Sequence, residues 1–258
     1  MEHESNRFTQ GLRAGDRQIG LWISLCNNFA AEVVAPAGYD WALIDMEHSH
    51  NDYASVLGQL QAFAPYHTVP VVRVEWNDAV AVKRLLDIGA PGLLFPMIQT
   101  VEEARAAVAA TRYPPHGIRG VAGSTRAKKF GRVKDYTART QDETAVLLQI
   151  ETQAALERAE EIADVEGVTG IFFGPADIAA DMGMLGQPTA REVWERIRPV
   201  AQRLMAKGMP VGTLVSDTTL AAELMGEGFT FVACGTDTGL LARGSDALLA
   251  DVTEKLKI

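Results

Sequence analysis

Two kinds of apolar pattern alternate along the chain. Short runs rich in β-branched and aromatic residues recur eight times: Ile19–Leu25, Trp41–Ile44, Val69–Val74, Gly92–Met97, Ala145–Ile150, Val168–Phe173, Pro210–Val215 and Phe229–Cys234. Between them lie longer stretches whose apolar positions have helical spacing. One ends near Gly38, and Tyr53–Phe63 follows. Another is capped by Asp78 and carries Val82, Leu85 and Leu86. Then come Val101–Ala110, Ala154–Ile162, a segment capped by Ser216 or Asp217, and a last helix from Gly239 to Leu256.

Near-continuous apolar runs are what strands buried on both faces require. Eight β-then-α units predict one domain, residues 1–258, folded as an α/β protein of the (β/α)8 or TIM-barrel class. A doubly wound open sheet would carry a glycine-rich phosphate turn after its first strand. The segment there is Cys26-Asn27-Asn28-Phe29-Ala30, which has no glycine. No linker, charge block or low-complexity tract divides the chain. The long loop Arg112–Val133 contains several glycines and is expected to be functional rather than a plain connector.

With 47% hydrophobic and 22% charged residues, the composition is that of an ordinary globular domain. The net charge of −9 argues against a nucleic-acid or anionic-membrane surface. It also means that an anionic substrate needs local arginines or a metal. Cys26 and Cys234 lie far apart in apolar runs, as buried thiols of a reducing compartment do. The polar segment Met1–Arg17 has no apolar signal core, and no run approaches the roughly 20 residues that span a bilayer. A soluble, cytoplasmic protein is expected.

A (β/α)8 barrel carries its chemistry just past the C-terminal ends of its strands. At those places stand Asp45, Glu47 and His48, then Arg73, then Gln149 and Glu151, then Gly174, Ala176 and Asp177, and finally Thr213 and Ser216. Glu151 and Asp177 end adjacent strands, and two hard oxygen ligands suit Mg²⁺ or Mn²⁺. The plainer alternative is that each caps the helix that follows it. A helix opening at Gly174-Pro175-Ala176 would aim free N–H groups into the mouth, a seat for a carboxylate. Arg73 is the only arginine inside a strand-like run. It could stabilise a developing oxyanion or pair with an acid on a neighbouring strand. His48 is the natural proton-transfer group, with Asp45 and Asp87 as candidate carboxylates to orient it.

His48-Ser49-His50 has the spacing of a zinc pair, but the remaining histidines, His3, His67 and His116, do not end strands. No lysine falls in a strand, which disfavours Schiff-base chemistry. Neither a Gly-x-Ser-x-Gly elbow nor a Walker loop is present. A divalent metal, an anion seat, an arginine and a histidine base together suit enolisation of a small 2-oxo acid. The enolate would then attack an aldehyde.

At these residues the sequence resembles a known family. The segments GLWISL, DWALIDMEH, PVVRVEWND, RYPPHGIRGVAG, LLQIET and IFFGPADIAADMG are similar to those of the HpcH/HpaI family of metal-dependent, class II pyruvate aldolases. The likeness runs from Gly20 to the last helix. It implies reversible cleavage of a 4-hydroxy-2-oxo acid to pyruvate, or hydroxypyruvate, plus an aldehyde through a metal-bound enolate, with Mg²⁺, Mn²⁺ or Co²⁺. It implies that His48 accepts the proton, Arg73 stabilises the enolate and Asp87 raises the basicity of His48. Gln149 would hold substrate, Glu151 and Asp177 the metal, and Ala176 a substrate oxygen through its backbone amide. The resemblance also implies a homo-hexamer, a trimer of dimers, whose final helix is exchanged with a neighbouring subunit. Two departures are expected near the aldehyde: Met46 with Ser49-His50, where glycine and small apolar residues are usual, and a basic loop carrying Arg126, Lys128, Lys129 and Arg132. The rival expectations are a citryl- or acyl-CoA-type lyase on a related barrel, and a barrel that only binds an oxo acid.

Overall fold

The computed structural model of the chain describes residues 5–256. Its strands are β1 (Gln18–Ile23), β2 (Trp41–Asp45), β3 (Val69–Arg73), β4 (Gly92–Phe95), β5 (Ala145–Ile150), β6 (Gly170–Phe173), β7 (Val211–Leu214) and β8 (Phe231–Thr236). They close in chain order into one parallel barrel, β8 pairing back onto β1. The (β/α)8 expectation is met. The eighth strand runs two residues further than the apolar pattern suggested. Its register on β1 shifts between Gly20 and Trp22, so Thr236 still finds a partner in Trp22.

Period-two alternation sorts the strand residues into two cores. Trp22, Trp41, Leu43, Val69, Val71, Leu94, Leu147, Phe172 and Phe231 fill the barrel interior. Ala42, Ile44, Val72, Leu93, Leu148, Ile171 and Phe173 face outward and pack with the helices. Bare backbone makes room for the large rings. A Cβ at Gly20 would come within 2.3 Å of the Trp41 ring, and one at Gly212 within 2.4 Å of the Phe231 ring. Continuing the same parity toward the C-terminal end of each strand gives the key result. After Trp41 and Leu43 the next inward position is Asp45. After Val69 and Val71 it is Arg73. After Ala145 and Leu147 it is Gln149, with Glu151 one step beyond. The polar residues are therefore the last interior layer of the barrel.

Other helices do not show clearly in the sequence pattern. The segment Arg7–Ala14 is a helix capped by the Asn6 side chain. It presents only Phe8 and Leu12, one turn apart, so little apolar periodicity betrays it. Phe8 packs 5.5 Å from the Trp41 ring and 5.9 Å from that of Phe231, at the first positions of their strands. The helix thus closes the N-terminal end of the barrel. A helix at Tyr136–Glu143 precedes β5, and a long one at Arg191–Ala206 precedes β7. The region expected as a single helix over Ala154–Ile162 is two short ones, Gln153–Glu157 and Ala159–Ala163.

The last helix, Asp237–Leu256, buries only Asp237. Leu240, Leu241, Leu248, Leu249, Val252 and Leu256 on it are exposed. No described helix is long and apolar enough to cross a membrane.

Candidate active site at the barrel mouth

Asp45 and Arg73 are direct register partners on β2 and β3, and both are buried. Arg73 donates from Nε to Asp45 Oδ1 at 2.8 Å and from Nη2 to Oδ2 at 2.7 Å, a bidentate pair. Its Nη1 lies 2.7 Å from Glu47 Oε2, an ion contact without hydrogen-bond alignment. The Trp22 indole N–H donates to Asp45 Oδ2 at 3.2 Å, and the Trp22 ring lies 4.9 Å from the guanidinium. Burial pushes the Asp45 carboxyl up, but the Arg73 hydrogen bonds and charge outweigh it, leaving the pKa below the ordinary value. The expected ion pair is present, and it does not exhaust the guanidinium. It pairs with an acid on a neighbouring strand, and a guanidinium has five N–H donors, so the pair leaves some of them over.

Asp45 also folds the loop that follows it. Its Oδ1 accepts the backbone N–H of Glu47 at 3.0 Å and of His48 at 3.4 Å, an Asx-type turn. Asn51 and Ser49 both donate to the Asp45 carbonyl. His48 is presented at the rim with its side chain 67% exposed, and its Nε2 lies 3.9 Å from Glu47 Oε1. The imidazole is thus free to meet a ligand. Burial lifts the Glu47 pKa above the ordinary glutamate value, against the pull of Arg73 and His48.

The second half of the site lies on β5 and β6. Glu151 is buried. Its Oε2 accepts the Met97 N–H at 2.7 Å, and its Oε1 accepts the Gln149 side-chain amide at 2.7 Å. Burial is the main force on this carboxyl. Asp177 and Glu47 add to it, the Met97 N–H opposes it, and the pKa is pushed up to about 8. Asp177 stands in the first turn of the helix Pro175–Asp181, close enough to share a hydrogen bond with Glu151. A Cβ at Gly174 would come 2.7 Å from Glu151 Oε1, so only bare backbone fits beside that carboxylate.

This donor set fits a hard divalent cation. A buried carboxylate sits beside a second one and beside the buried Gln149 Oε1, which has no hydrogen-bond partner. The neighbouring Asp177 charge helps to raise the Glu151 pKa, and a cation would relieve that repulsion. Among the described residues no group of three or more His, Cys, Asp or Glu could hold a metal. Any such centre would have at most two of these side chains and would need other ligands.

Not every sequence-predicted residue reaches this mouth. Asp87 ends the helix Ala79–Asp87, which runs back to the N-terminal face of the barrel. There it accepts from Arg119 Nη2 at 2.8 Å. His48 follows β2 at the opposite face, so the two do not meet within one chain. The loop Arg112–Val133 also lies at the N-terminal face, where Arg126 donates to the Ile88 carbonyl at 2.7 Å. Its basic residues therefore do not flank the mouth of their own barrel, contrary to the sequence expectation. Thr213 faces outward, its hydroxyl donating to the Phe173 carbonyl at 2.9 Å.

Two contributors escaped the sequence. Trp22 looked like an ordinary core residue, and only the inward parity of β1 marks it. Met97 holds Glu151 through its backbone from a left-handed conformation, φ 53°, which its residue type does not announce.

Comparison with known proteins gives consistent matches. The sequence profile of the HpcH/HpaI aldolase/citrate lyase family matches residues 18–244. Over 250 residues the chain is 55% identical to a pyruvate aldolase of Rhizobium etli, covering 97% of this chain and 98% of the relative. It is 51% identical to a 4-hydroxy-2-oxo-heptane-1,7-dioate aldolase of Klebsiella pneumoniae, covering 96% and 94%. A solved structure of an HpcH/HpaI aldolase/citrate lyase family protein from Burkholderia cenocepacia superposes with a TM-score of 0.93 at 39% identity, covering 96% of this chain and all of that one.

Proposed function

The chain belongs to the HpcH/HpaI aldolase/citrate lyase family, and on that premise we propose that it is a carbon–carbon lyase that cleaves a 4-hydroxy-2-oxo acid to pyruvate and an aldehyde and runs the reverse addition. The observation that carries this is the buried Glu151 beside Asp177, with the anchored Arg73 across the mouth. The aldolase relatives support the reaction type. Hydroxypyruvate is a close analogue of the pyruvate product and would fit the same donor groups.

Glu151 and Asp177 would hold Mg²⁺, Mn²⁺ or Co²⁺, which supplies Lewis acidity at the keto oxygen of the bound oxo acid. The rest falls to side chains and backbone. The spare N–H groups of Arg73 stabilise charge that builds on the keto oxygen as the enolate forms. The first-turn N–H groups of Ala176 and Asp177 have no partner within their own helix and receive the substrate carboxylate. Gly174 leaves room for that approach, and the Gln149 amide binds an oxygen at the same place. In cleavage, His48 takes the proton of the 4-hydroxyl as the bond between C3 and C4 breaks. The aldehyde leaves, and protonation at C3 yields pyruvate. In the reverse direction His48 removes a proton from C3 and returns one to the C4 oxygen as C3 bonds to the aldehyde carbon. Asp45 holds Arg73 and the turn that presents His48.

The roles of Asp87 and of the quaternary structure depend on one another. Asp87 can raise the basicity of His48 only if a second copy lays its N-terminal face against this mouth. A homo-hexamer, a trimer of dimers, would do so. The exposed leucine face of the final helix supports such an assembly, because an unpartnered apolar helix is costly in water. The helix would pack on a neighbouring subunit.

The test is proton exchange of pyruvate in deuterated water. The protein with added Mg²⁺, Mn²⁺ or Co²⁺ is expected to exchange the methyl protons, and EDTA to stop it. If none of the three metals supports exchange, the aldolase proposal falls.

A further inference from the structure

Asp237 is a buried carboxylate that the mechanism above does not use. It opens the final helix, directly after β8. Its Oδ1 accepts the backbone N–H of Ser24 at 2.9 Å, and its Oδ2 that of Leu25 at 3.0 Å. Its Oδ1 also accepts the N–H of Thr238 at 2.7 Å, and among the described ion pairs none involves Asp237, so peptide N–H groups are what hold it. A carboxylate placed this way fixes the course of the segment after β1.

That segment stands at the mouth. In the β1–β2 register Trp22 faces Leu43 and Ile23 faces Ile44, so Ser24 continues to the level of Asp45. The alternation that turns Trp22 inward turns Ser24 inward too. Ser24 is held on both sides: its N–H by Asp237, and its carbonyl by the Cys26 thiol at 3.3 Å. Cys26 itself has a left-handed backbone, φ 55°, which costs strain for a residue with a side chain.

The barrel order indicates what this segment would meet. Oxo-acid and base chemistry occupies β2, β3, β5 and β6. Going round the closed barrel, Met97 after β4 already holds Glu151, and the contiguous arc to which the mechanism assigns no substrate group is β7, β8 and β1, where Trp22 only braces Asp45. The aldehyde must approach the donor carbon from a side that the donor's own groups do not cover. Resting on the aldolase reading, we propose that Asp237 is a positioning residue. It holds Ser24 on the acceptor side of the mouth and thereby sets the affinity for the aldehyde.

The experiment compares wild type with Asp237→Asn in the intact protein. Pyruvate deuterium exchange reads the donor half, and KM for the aldehyde in the addition direction reads the acceptor half. Asp237→Asn is expected to keep exchange within about twofold of wild type while aldehyde KM rises about tenfold, since small misplacements near the reacting atoms are expensive. Asp237→Glu should recover part of the loss. Equal losses in exchange and aldehyde KM, or an unchanged KM, overturn the proposal. Ser24→Val covers the case in which Asp237→Asn does not fold. Added bulk at residue 24 should raise aldehyde KM severalfold with exchange retained, and an unaltered KM removes Ser24 from the acceptor side. A wild-type protein that exchanges no protons defeats the aldolase reading itself and is thereby told apart from a failure at Asp237.

Discussion

Two arginine–aspartate pairs stand at opposite ends of the same barrel. At the mouth, Arg73 binds Asp45 bidentately, and Glu47 closes on its remaining nitrogen. Glu151 and Asp177 add two further carboxyl groups, the first holding its proton up to about 8. At the N-terminal face, the fully buried Arg119 reaches Asp87 at 2.8 Å and the Tyr136 hydroxyl at 3.3 Å, its guanidinium 4.6 Å from the Tyr113 ring. Lys128 Nζ lies 5.5 Å from that same ring. One end therefore carries surplus carboxylate and the other surplus cation resting on aromatic faces. An Arg–Asp pair alone does not indicate function. The sign of the charge left over does, because surplus carboxylate calls for a cation and surplus guanidinium does not.

The sharpest way to break this contrast is to remove each arginine. Arg73→Met should cut pyruvate exchange about a thousandfold, the scale of losing a preorganised donor to a developing oxyanion. Arg119→Met also strands a partner carboxylate, and either change should cost about 3–5 kcal/mol of stability. In the fraction that remains folded, exchange in Arg119→Met should fall less than tenfold. Equal exchange rates in the two folded variants would erase the functional difference between the ends.

A smaller effect tests whether the two ends meet across subunits. His48→Ala should lower exchange by about a hundredfold or more, as loss of a general base does, while pyruvate still binds. Asp87→Asn should lower it less and shift the pH profile. If His48 and Asp87 come from different chains, unfolding and reassembling the two variants together restores some sites with both groups intact. Activity in the mixture should then exceed that of either variant alone. No recovery in verified mixed oligomers would put the pair out of reach. Leu248→Glu with Leu249→Glu on the final helix should reduce the oligomer seen by light scattering, and a hexamer of unchanged mass would remove that helix from the contact.

The barrel was legible because buried parallel strands leave uninterrupted apolar runs, and eight of them fit one topology. Asp45, Arg73, Gln149 and Glu151 were legible for a related reason. Each breaks an apolar run at the point where the interior parity reaches the mouth. Trp22 broke nothing, and so it was invisible as a partner of Asp45. The Arg7–Ala14 helix was hidden because two apolar residues one turn apart do not make a pattern. Asp87 shows the opposite limit. Its residue type suggested an orienting carboxylate, but only the direction of the Ala79–Asp87 helix shows which end of the barrel it reaches. The basic loop misled in the same way, since sequence length and charge do not say on which face a connection runs.

The smallest effect concerns the surplus charge itself and is read against pH. The Glu151 carboxyl, near 8 in the folded chain, sits well above its ordinary value of 4.5. Between those limits the folded protein keeps a proton that the unfolded chain has released. Its contribution to stability is complete below the ordinary value and is lost as pH rises through about 8. Asp45 has the opposite sign. Its pKa is lowered by Arg73, so its contribution is present above the ordinary aspartate range and is lost in acid. A divalent cation competes with the Glu151 proton, so its affinity should rise about tenfold per pH unit up to that pKa and then level off. Added Mg²⁺ should accordingly raise the melting temperature more at the alkaline end of the window than at the acid end. Titration calorimetry with Mg²⁺ across the window reads the slope directly, and Asp177→Asn should weaken binding throughout. An affinity that does not vary with pH would mean that the Glu151 carboxyl is already ionised, and the mouth would then lack the trapped proton that distinguishes it from the Arg119 end.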